Sequence, residues 1–337
     1  DLVHGYLLCV RLLGPEAHEG TSWITGANGS ETRDSGTRDA EIFMSERFTV
    51  AGLGELLWDV FPSHKRRGGA PANFACHCRQ LGAAAYPVSS VGTDDLGRLI
   101  RDELRAIGVD TSYVLETDTF PTGTVQVTLN EKGKPSYQIS ENVAWDHIPF
   151  TTELKALAAK LDAVCFGSLA QRSAVSRETI RAFVRHMPEK ALRIFDVNLR
   201  QPFFSKEQIE GSLQLASILK LSDEELPVLA GYFGLRGDVV VQLKELRELF
   251  DLKLVAYTRG PDGSLLVGDE AMDDALGLEA VMVDSVGAGD SFTAALCMGM
   301  LKGWPLNKVN SFTNRVAAFV CSQKGATPIL PEHLVNY

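Results

Sequence analysis

Long hydrophobic runs are missing from this chain. No apolar stretch reaches the ~18 residues that a membrane span needs. "GYLLCVRLLG" at 5–14 is short and broken by Arg11. It has neither a basic leader nor a small-residue cleavage site directly after it, which argues against a signal peptide. Positive charge is also scarce. Lys and Arg total 33 against 43 Asp and Glu, a net charge of −10. That excludes a broad nucleic-acid footprint, which needs a basic face, but leaves room for a local pocket that binds a small anion. No Gly-x-x-x-x-Gly-Lys-Ser/Thr loop occurs. Gly52-Leu53-Gly54 follows a strand-like run, yet the sixth position is Leu57, so the dinucleotide fingerprint fails as well. Six cysteines are present, and Cys76-His77-Cys78 is their one close grouping. Zinc spacing asks for Cys-x-x-Cys and a second pair, and there is none. Most of the six lie in apolar runs, which predicts buried free thiols and a reducing, cytoplasmic compartment.

What is present divides at about residue 47. Residues 1–46 are polar, rich in Gly, Ser and Thr and without period, the composition of a disordered extension. "MSERFTVAGLGE" from Met44 reads like an ordinary protein start. From Phe48 the text alternates. "FTVAGLG", "AVCFG", "RIFDVN" and "KLVAYT" are short apolar strands ending on small or polar residues. Between them lie helical patterns. "DLGRLIRDELRAIG" puts Leu96, Leu99, Ile100, Leu104 and Ile107 on one face, and "VVVQLKELRELF" from Val239 behaves likewise. Strand and helix in series predict an α/β fold over residues 47–337, with a mostly parallel sheet covered on both faces. One segment departs from this. In "TGTVQVTLNEKGKPSYQIS", Val125, Val127 and Leu129 alternate with polar residues and a Glu-Lys-Gly-Lys turn follows, the pattern of an antiparallel hairpin with one dry face. It reads equally as a cover over a site or as an extension of the sheet.

Chemistry concentrates in two short stretches. "DSVGAGD" at 284–290 runs straight into the apolar "SFTAALCMGML". The first N–H groups of a helix have no internal partner, and glycines let a phosphate approach them. An anion there gains ~0.3–1 kcal/mol from the helix dipole, up to ~2 when partly buried. The N–H groups of Ala288, Gly289 and Asp290 can therefore form an anion hole for a transferring phosphoryl group. Asp290 itself would repel phosphate. It is either a base placed beside the arriving phosphoryl or an ordinary helix cap. The second stretch joins "GLGELLWDVFP" to "RRGGAPANFACHCRQLG". Asp59 and Asn73 near the Gly68-Gly69 corner suit vicinal hydroxyls, and Pro71 suits a first helical turn. A strand end followed by a helix cap is the plainer alternative. Lys65-Arg66-Arg67, just before Gly68, is either a clamp for a substrate phosphate or a solvated loop.

"GGAPAN" early and "DSVGAGD" late resemble the two signatures of the ribokinase, or PfkB, family of sugar kinases. The resemblance spans roughly residues 47–333. "GLGELLWDVFP", "PTGTVQVTL", "ENVAWD" and "FGSLAQRS" look most like bacterial fructokinases. It implies ATP-dependent phosphorylation of a sugar hydroxyl, D-fructose first. The rivals are ribose, 2-keto-3-deoxygluconate, fructose 6-phosphate, or a catalytically silent sensor of sugar or nucleotide. It also implies a doubly wound sheet with a small β-sheet lid, about 59–70 and 120–142, which often serves as a homodimer contact.

The same resemblance assigns residues. Asp290 would be the base, with Gly287, Ala288 and Gly289 as the anion hole. Asp59, Gly68, Gly69 and Asn73 would hold the sugar. "FDVNLR" is similar to the family's Asp-x-Asn-x-Arg strand end, giving Asp196, Asn198 and Arg200, the last facing phosphate oxygens. "LKLSDEE" supplies Lys220 and Glu225, with Ser222 where the family usually has Asn, and Glu225 would hold Mg²⁺ through water. Thr258, Gly260 and Gly263 would line the nucleotide groove and Asn314 would border the adenine. A monovalent cation, K⁺, would sit at Asp284, Val286, Val320, Gln323 and Gly325. The implied partners are ATP and a small sugar, with no nucleic acid and no membrane.

Overall fold

The computed structural model describes residues 48–129, 135–200 and 202–337. The expected extension at 1–46 and the Glu131–Lys134 turn lie outside the described residues. The strands are β1 Thr49–Leu53, β2 Leu57–Val60, β3 Lys65–Gly68, β4 Ala84–Gly92, β5 Val114–Thr117, β6 Gly123–Leu129 and β7 Pro135–Ile139. They continue with β8 Ala163–Phe166, β9 Leu192–Asp196, β10 Ile218–Ser222, β11 Leu254–Thr258, β12 Ser264–Gly268 and β13 Met272–Ala275. The helices are α1 Ala70–Gln80, α2 Asp95–Ala106, α3 Thr152–Ala158, α4 Ala174–Arg185 and α5 Lys206–Leu213. After them come α6 Leu226–Phe233, α7 Val239–Leu249, α8 Ala288–Leu301, α9 Leu306–Cys321 and α10 Glu332–Val335.

Nine strands form one sheet in the order β13-β12-β11-β10-β9-β8-β1-β4-β5. Every pairing from β5 across to β11 is parallel, and only β12 runs against the rest, paired antiparallel with β11 on one side and with the edge strand β13 on the other. The chain winds outward in one direction through β4 and β5, then returns beside β1 and winds the other way from β8. The order thus reverses between β1 and β8, and the strand ends there open a crevice of the kind in which α/β sheets bind ligands.

Strand side chains alternate between two cores, as a period of two demands. In β8, Ala163 and Cys165 join the core under α1, α8 and α9. Val164 and Phe166 join the one under α3, α4, α5, α6 and α7. Helix α8 is buried from Ser291 to Gly299, which explains its uniformly apolar text. Helix α2 corrects the expected stripe. Ile100 and Leu104 are buried, whereas Leu99 is 36% exposed and Ile107 48%. This helix covers only the narrow cluster around Leu56, Trp58 and Val91, so a face that wide has nothing more to bury against.

The hairpin does not extend the main sheet. With β2 and β3 it forms a separate four-stranded sheet, β3-β2-β6-β7, in which β2 lies parallel to β6. Leu57, Val125 and Val127 make its dry face. Trp58, on the opposite side of β2, is anchored by its indole N–H to the Leu96 carbonyl at 3.0 Å. Asp94 caps α2 by accepting from Gly97 N–H at 2.8 Å and also accepts from the Thr122 N–H and hydroxyl, which fixes where β6 begins.

Phe312 on α9 is 1% exposed within the core shared with α8. Truncating it to Ala should cost ~3–5 kcal/mol, read as a lowered urea midpoint. Val175→Ala, at a position 48% exposed, should stay within ~0.5 kcal/mol of the parent.

Candidate active site

Two helix entrances meet at the crevice. Helix α8 begins after Gly287, whose φ of +81° lies in the left-handed region. A Cβ there would fall 2.4 Å from the Ala326 carbonyl oxygen, so this position excludes a side chain on two counts. No side chain among the described residues caps α8; the Ala288 N–H makes only a long bond to the Ser285 carbonyl, 3.4 Å, and the N–H groups that follow it in the first turn stay available. Helix α1 begins after Gly69, at φ +111°, where a Cβ would lie 2.4 Å from the Glu55 carbonyl oxygen. Asn73, in the first turn of α1, donates from Nδ2 to Asp290 Oδ2 at 2.8 Å. The two sequence stretches are thereby joined across 217 positions.

Asp290 shares a small crevice with Pro71, Phe166, Asp196, Asn198 and Thr293. Burial raises its pKa to about 6 and Asp196 adds to the shift, while the Asn73 hydrogen bond, Lys220 and Arg200 oppose it. Beneath lies a buried charge cluster. Lys220 Nζ meets Asp196 Oδ1 at 3.0 Å, and the Thr293 hydroxyl donates to Asp196 Oδ2 at 2.9 Å. A Cβ on Gly289 would be 3.4 Å from that ammonium, so Lys220 stands directly behind the first turn of α8. Burial disfavours its charge, but Asp196 and Glu225 outweigh this and raise its pKa.

On the small-sheet side, Asp59 lies in β2 opposite Arg66, and its Oδ2 would be 2.7 Å from a Cβ on Gly68. Burial lifts its pKa to about 6 against the pull of Arg200 and Arg66. Arg200 thus lies within electrostatic reach of Asp59, Asp290 and Glu55 together. On the opposite side, Glu225 ties two strand ends. Its Oε1 accepts from Leu199 N–H at 2.9 Å and its Oε2 from Ser222 N–H at 2.7 Å. Ser222 pairs with Thr258 across β10 and β11, and Gly260 and Gly263 form the turn into β12. Asn314 points its amide nitrogen at Ser264 Oγ, 2.7 Å, and the Asn310 carbonyl, 2.8 Å, so that group belongs to a polar network under β12.

The chain was compared with known proteins. Residues 42–333 match the model of the pfkB family carbohydrate kinases. The chain belongs to that family. An uncharacterized sugar kinase of Pyrococcus horikoshii is 31% identical over 297 residues, covering 82% of this chain and 91% of the relative. Its crystal structure superposes with a TM-score of 0.75, covering 86% of this chain and 97% of that one, and it has also been solved in complex with ATP. A fructokinase of Escherichia coli is 28% identical over 83% of this chain and 95% of its own. The fold is shared with the fructokinase of Vibrio cholerae O395, solved with fructose, ADP and calcium, at a TM-score of 0.73 and 23% identity over 86% of this chain and 98% of that one. The protein is therefore an ATP-dependent carbohydrate kinase.

The kinase's fit to its implied ions differs between the two. Each Glu225 oxygen accepts one backbone N–H and keeps a lone pair for a metal-bound water. No group of three or more His, Cys, Asp or Glu gathers among the described residues. Mg²⁺ usually rides on substrate phosphates, waters and one or two carboxylates, so these residues fit it. The monovalent site is already partly engaged by protein donors. Asp284 Oδ2 accepts from Arg66 at 2.8 Å and from Gly325 N–H at 3.1 Å, and Oδ1 takes Val286 N–H at 3.1 Å. The Val320 carbonyl accepts from Gln323 N–H at 3.0 Å. A second cation at Asp284 would share its carboxylate with the guanidinium, through Oδ1, which accepts one N–H and keeps a lone pair. Cys76, His77 and Cys78 are core residues, with His77 Nε2 on the Ala326 carbonyl at 2.9 Å. No helix among the described residues is long and apolar enough to cross a membrane.

Sequence reasoning misses Glu55 and Thr293. Glu55 is 4% exposed, and burial pushes its carboxyl up to about 7. Its signal was a carboxylate immediately after the Gly52-Leu53-Gly54 strand end, four residues before Asp59.

The Asn73 bond favours the charged form of Asp290. Where turnover requires ionised Asp290, Asn73→Ala should therefore move the acid limb of the kcat/KM profile, expected near pH 6, to higher pH. A pH series in the coupled ADP-release assay reads the shift.

Proposed function

We propose that this kinase transfers the γ-phosphoryl group of ATP to the primary hydroxyl of a neutral hexose, D-fructose first, with Asp290 as general base. The observation that carries this reading is the Asp290 carboxylate, held by Asn73 at 2.8 Å beside the uncapped first turn of α8. The sugar lies between Asp59, Gly68, Gly69, Asn73 and Asp290. The nucleotide lies along Thr258, Gly260, Gly263 and the loop before α8, with Asn314 near the base. Glu225 and Ser222 would hold Mg²⁺ through water, and the ion supplies neutralisation of phosphate charge. Asp290 accepts the hydroxyl proton as the sugar oxygen bonds to the γ-phosphorus and the bond to the ADP oxygen breaks. The N–H groups of Ala288, Gly289 and Asp290 carry the charge on the equatorial oxygens, with Lys220 behind them and Arg200 alongside. The small sheet acts as a lid whose closure keeps water from competing for the phosphoryl group. No step depends on K⁺.

A neutral sugar is favoured over a sugar phosphate by the fate of the three basic residues before Gly68. Lys65 lies over the Trp58 ring, 5.1 Å from its centroid. Arg66 pairs with Asp284. Arg67 donates to Thr327 Oγ1 at 2.9 Å and to Cys76 Sγ at 3.3 Å. All three have protein partners to lose before they could clamp a phosphate.

Asp290→Asn should fold and bind ATP while turnover drops by ~10²–10⁴, the usual worth of a general base. Near-normal turnover would remove Asp290 from the chemistry. A panel of fructose, ribose, 2-keto-3-deoxygluconate and fructose 6-phosphate, read by ADP release, should give the highest kcat/KM with fructose. A preference for fructose 6-phosphate would overturn the neutral-sugar reading.

A further inference from the structure

Glu55 sits just past the end of β1, at the reversal of the strand order, and belongs to none of the groups assigned so far. Its Oε1 accepts from the N–H of Ala70, the first residue of α1, at 3.2 Å. Its Oε2 is buried and has no hydrogen-bond partner among the described residues. Helix α1 needs such a group. Its N-cap is Gly69, which has no side chain, and Pro71 brings no N–H. Glu55 therefore reaches over from a strand end to do what a Ser or Asp at the cap would do. The main chains touch as well, since the Glu55 carbonyl occupies the space a Gly69 Cβ would need. Three residues further along α1, Asn73 N–H bonds to the Gly69 carbonyl at 3.0 Å, and the Asn73 side chain holds Asp290.

We propose that Glu55 is a positioning residue for phosphoryl transfer: its carboxyl group fixes the entrance of α1, and through Asn73 it sets where Asp290 points. This rests on the reading of Asp290 as the base. A cap of this kind has a catalytic consequence because a helix rotated by a few degrees at its first turn carries Asn73 with it. Misplacement of a reacting group by about 1 Å can cost about a hundredfold in rate. The link does not require charge on Glu55. A carboxylate oxygen and the carbonyl oxygen of the protonated acid both accept from Ala70 N–H, and so does the amide oxygen of glutamine.

Four proteins test the proposal: Glu55→Ala, Glu55→Gln, Asp290→Asn and the Glu55→Ala/Asp290→Asn double variant. kcat, KM for sugar and for ATP, and the thermal midpoint are measured for each. Glu55→Gln should keep kcat within about threefold of the parent, because the acceptor survives. Glu55→Ala should lose about tenfold or more in kcat with KM for ATP within about twofold. In the Asp290→Asn background Glu55→Ala should cost nothing further, since the two act as a unit. Should Glu55→Ala not fold, Glu55→Asp, too short to reach Ala70, replaces it. A folded Glu55→Ala enzyme with parental kcat overturns the proposal. So does a Gln variant as damaged as the Ala variant, or additive losses in the double variant. If Asp290→Asn alone retains turnover, the base reading is what fails, and the Glu55 single variants still report on the α1 entrance.

Discussion

The hydrogen bond from Asn73 to Asp290 joins the entrance of one helix to the entrance of another, and both halves of the site hang on it. It settles an electrostatic conflict. A carboxylate withdrawn from water beside other acids tends to take up a proton, and burial does drive Asp290 toward about 6. The amide of Asn73 offers a fixed donor to the charged form and so favours ionisation, together with Lys220 and Arg200. A water molecule could make the same bond but would not be held in one direction. The rigid origin of that donor, one turn into α1, sets the carboxylate's orientation toward the crevice.

The charges behind this bond are arranged with equal economy. Lys220 and Asp196 would each be costly to bury alone, and as a pair they also take the Thr293 hydroxyl and so leave little unsatisfied. The result is a cation held under a helix entrance, where the helix dipole alone would disfavour it. Such a placement makes physical sense when negative charge arrives from the other side. Arg200, within electrostatic reach of three carboxylates, adds positive charge from the flank.

Much of the fold was legible because its signals are local. Strand runs such as "AVCFG" are apolar on both faces, and only a sheet covered on both sides rewards that. "GAGDSFTAALCMGML" is apolar all round, and α8 is buried all round. Asn73 and Asp290 were legible as candidates because each follows glycines at a helix entrance, and the fold brings the two together. What could not be read depends on remote partners. Glu55 after a strand looks like a solvated end until Ala70 is folded back onto it. The lysine and arginines at 65–67 look like a charged loop until Trp58, Asp284 and Thr327 come within reach. Leu99 and Ile107 fit a helical stripe, yet the neighbouring cluster is too narrow to cover them. The carbonyls of Val320, Gln323 and Gly325 carry no trace in their side chains.

The contact that closes the site spans 217 positions of the chain, from α1 to α8. Strands β1 to β11 can add to the sheet largely in the order in which they leave the ribosome. Helix α8 cannot, and until it docks the groove over α1 has no cover and Asn73 has no carboxylate. Loop closure over that length is entropically slow relative to the local steps. A nascent chain lacking its last fifth would lack α8 and α9, which cover one face of the sheet, and with them the Asn73–Asp290 contact, so that contact forms late in synthesis.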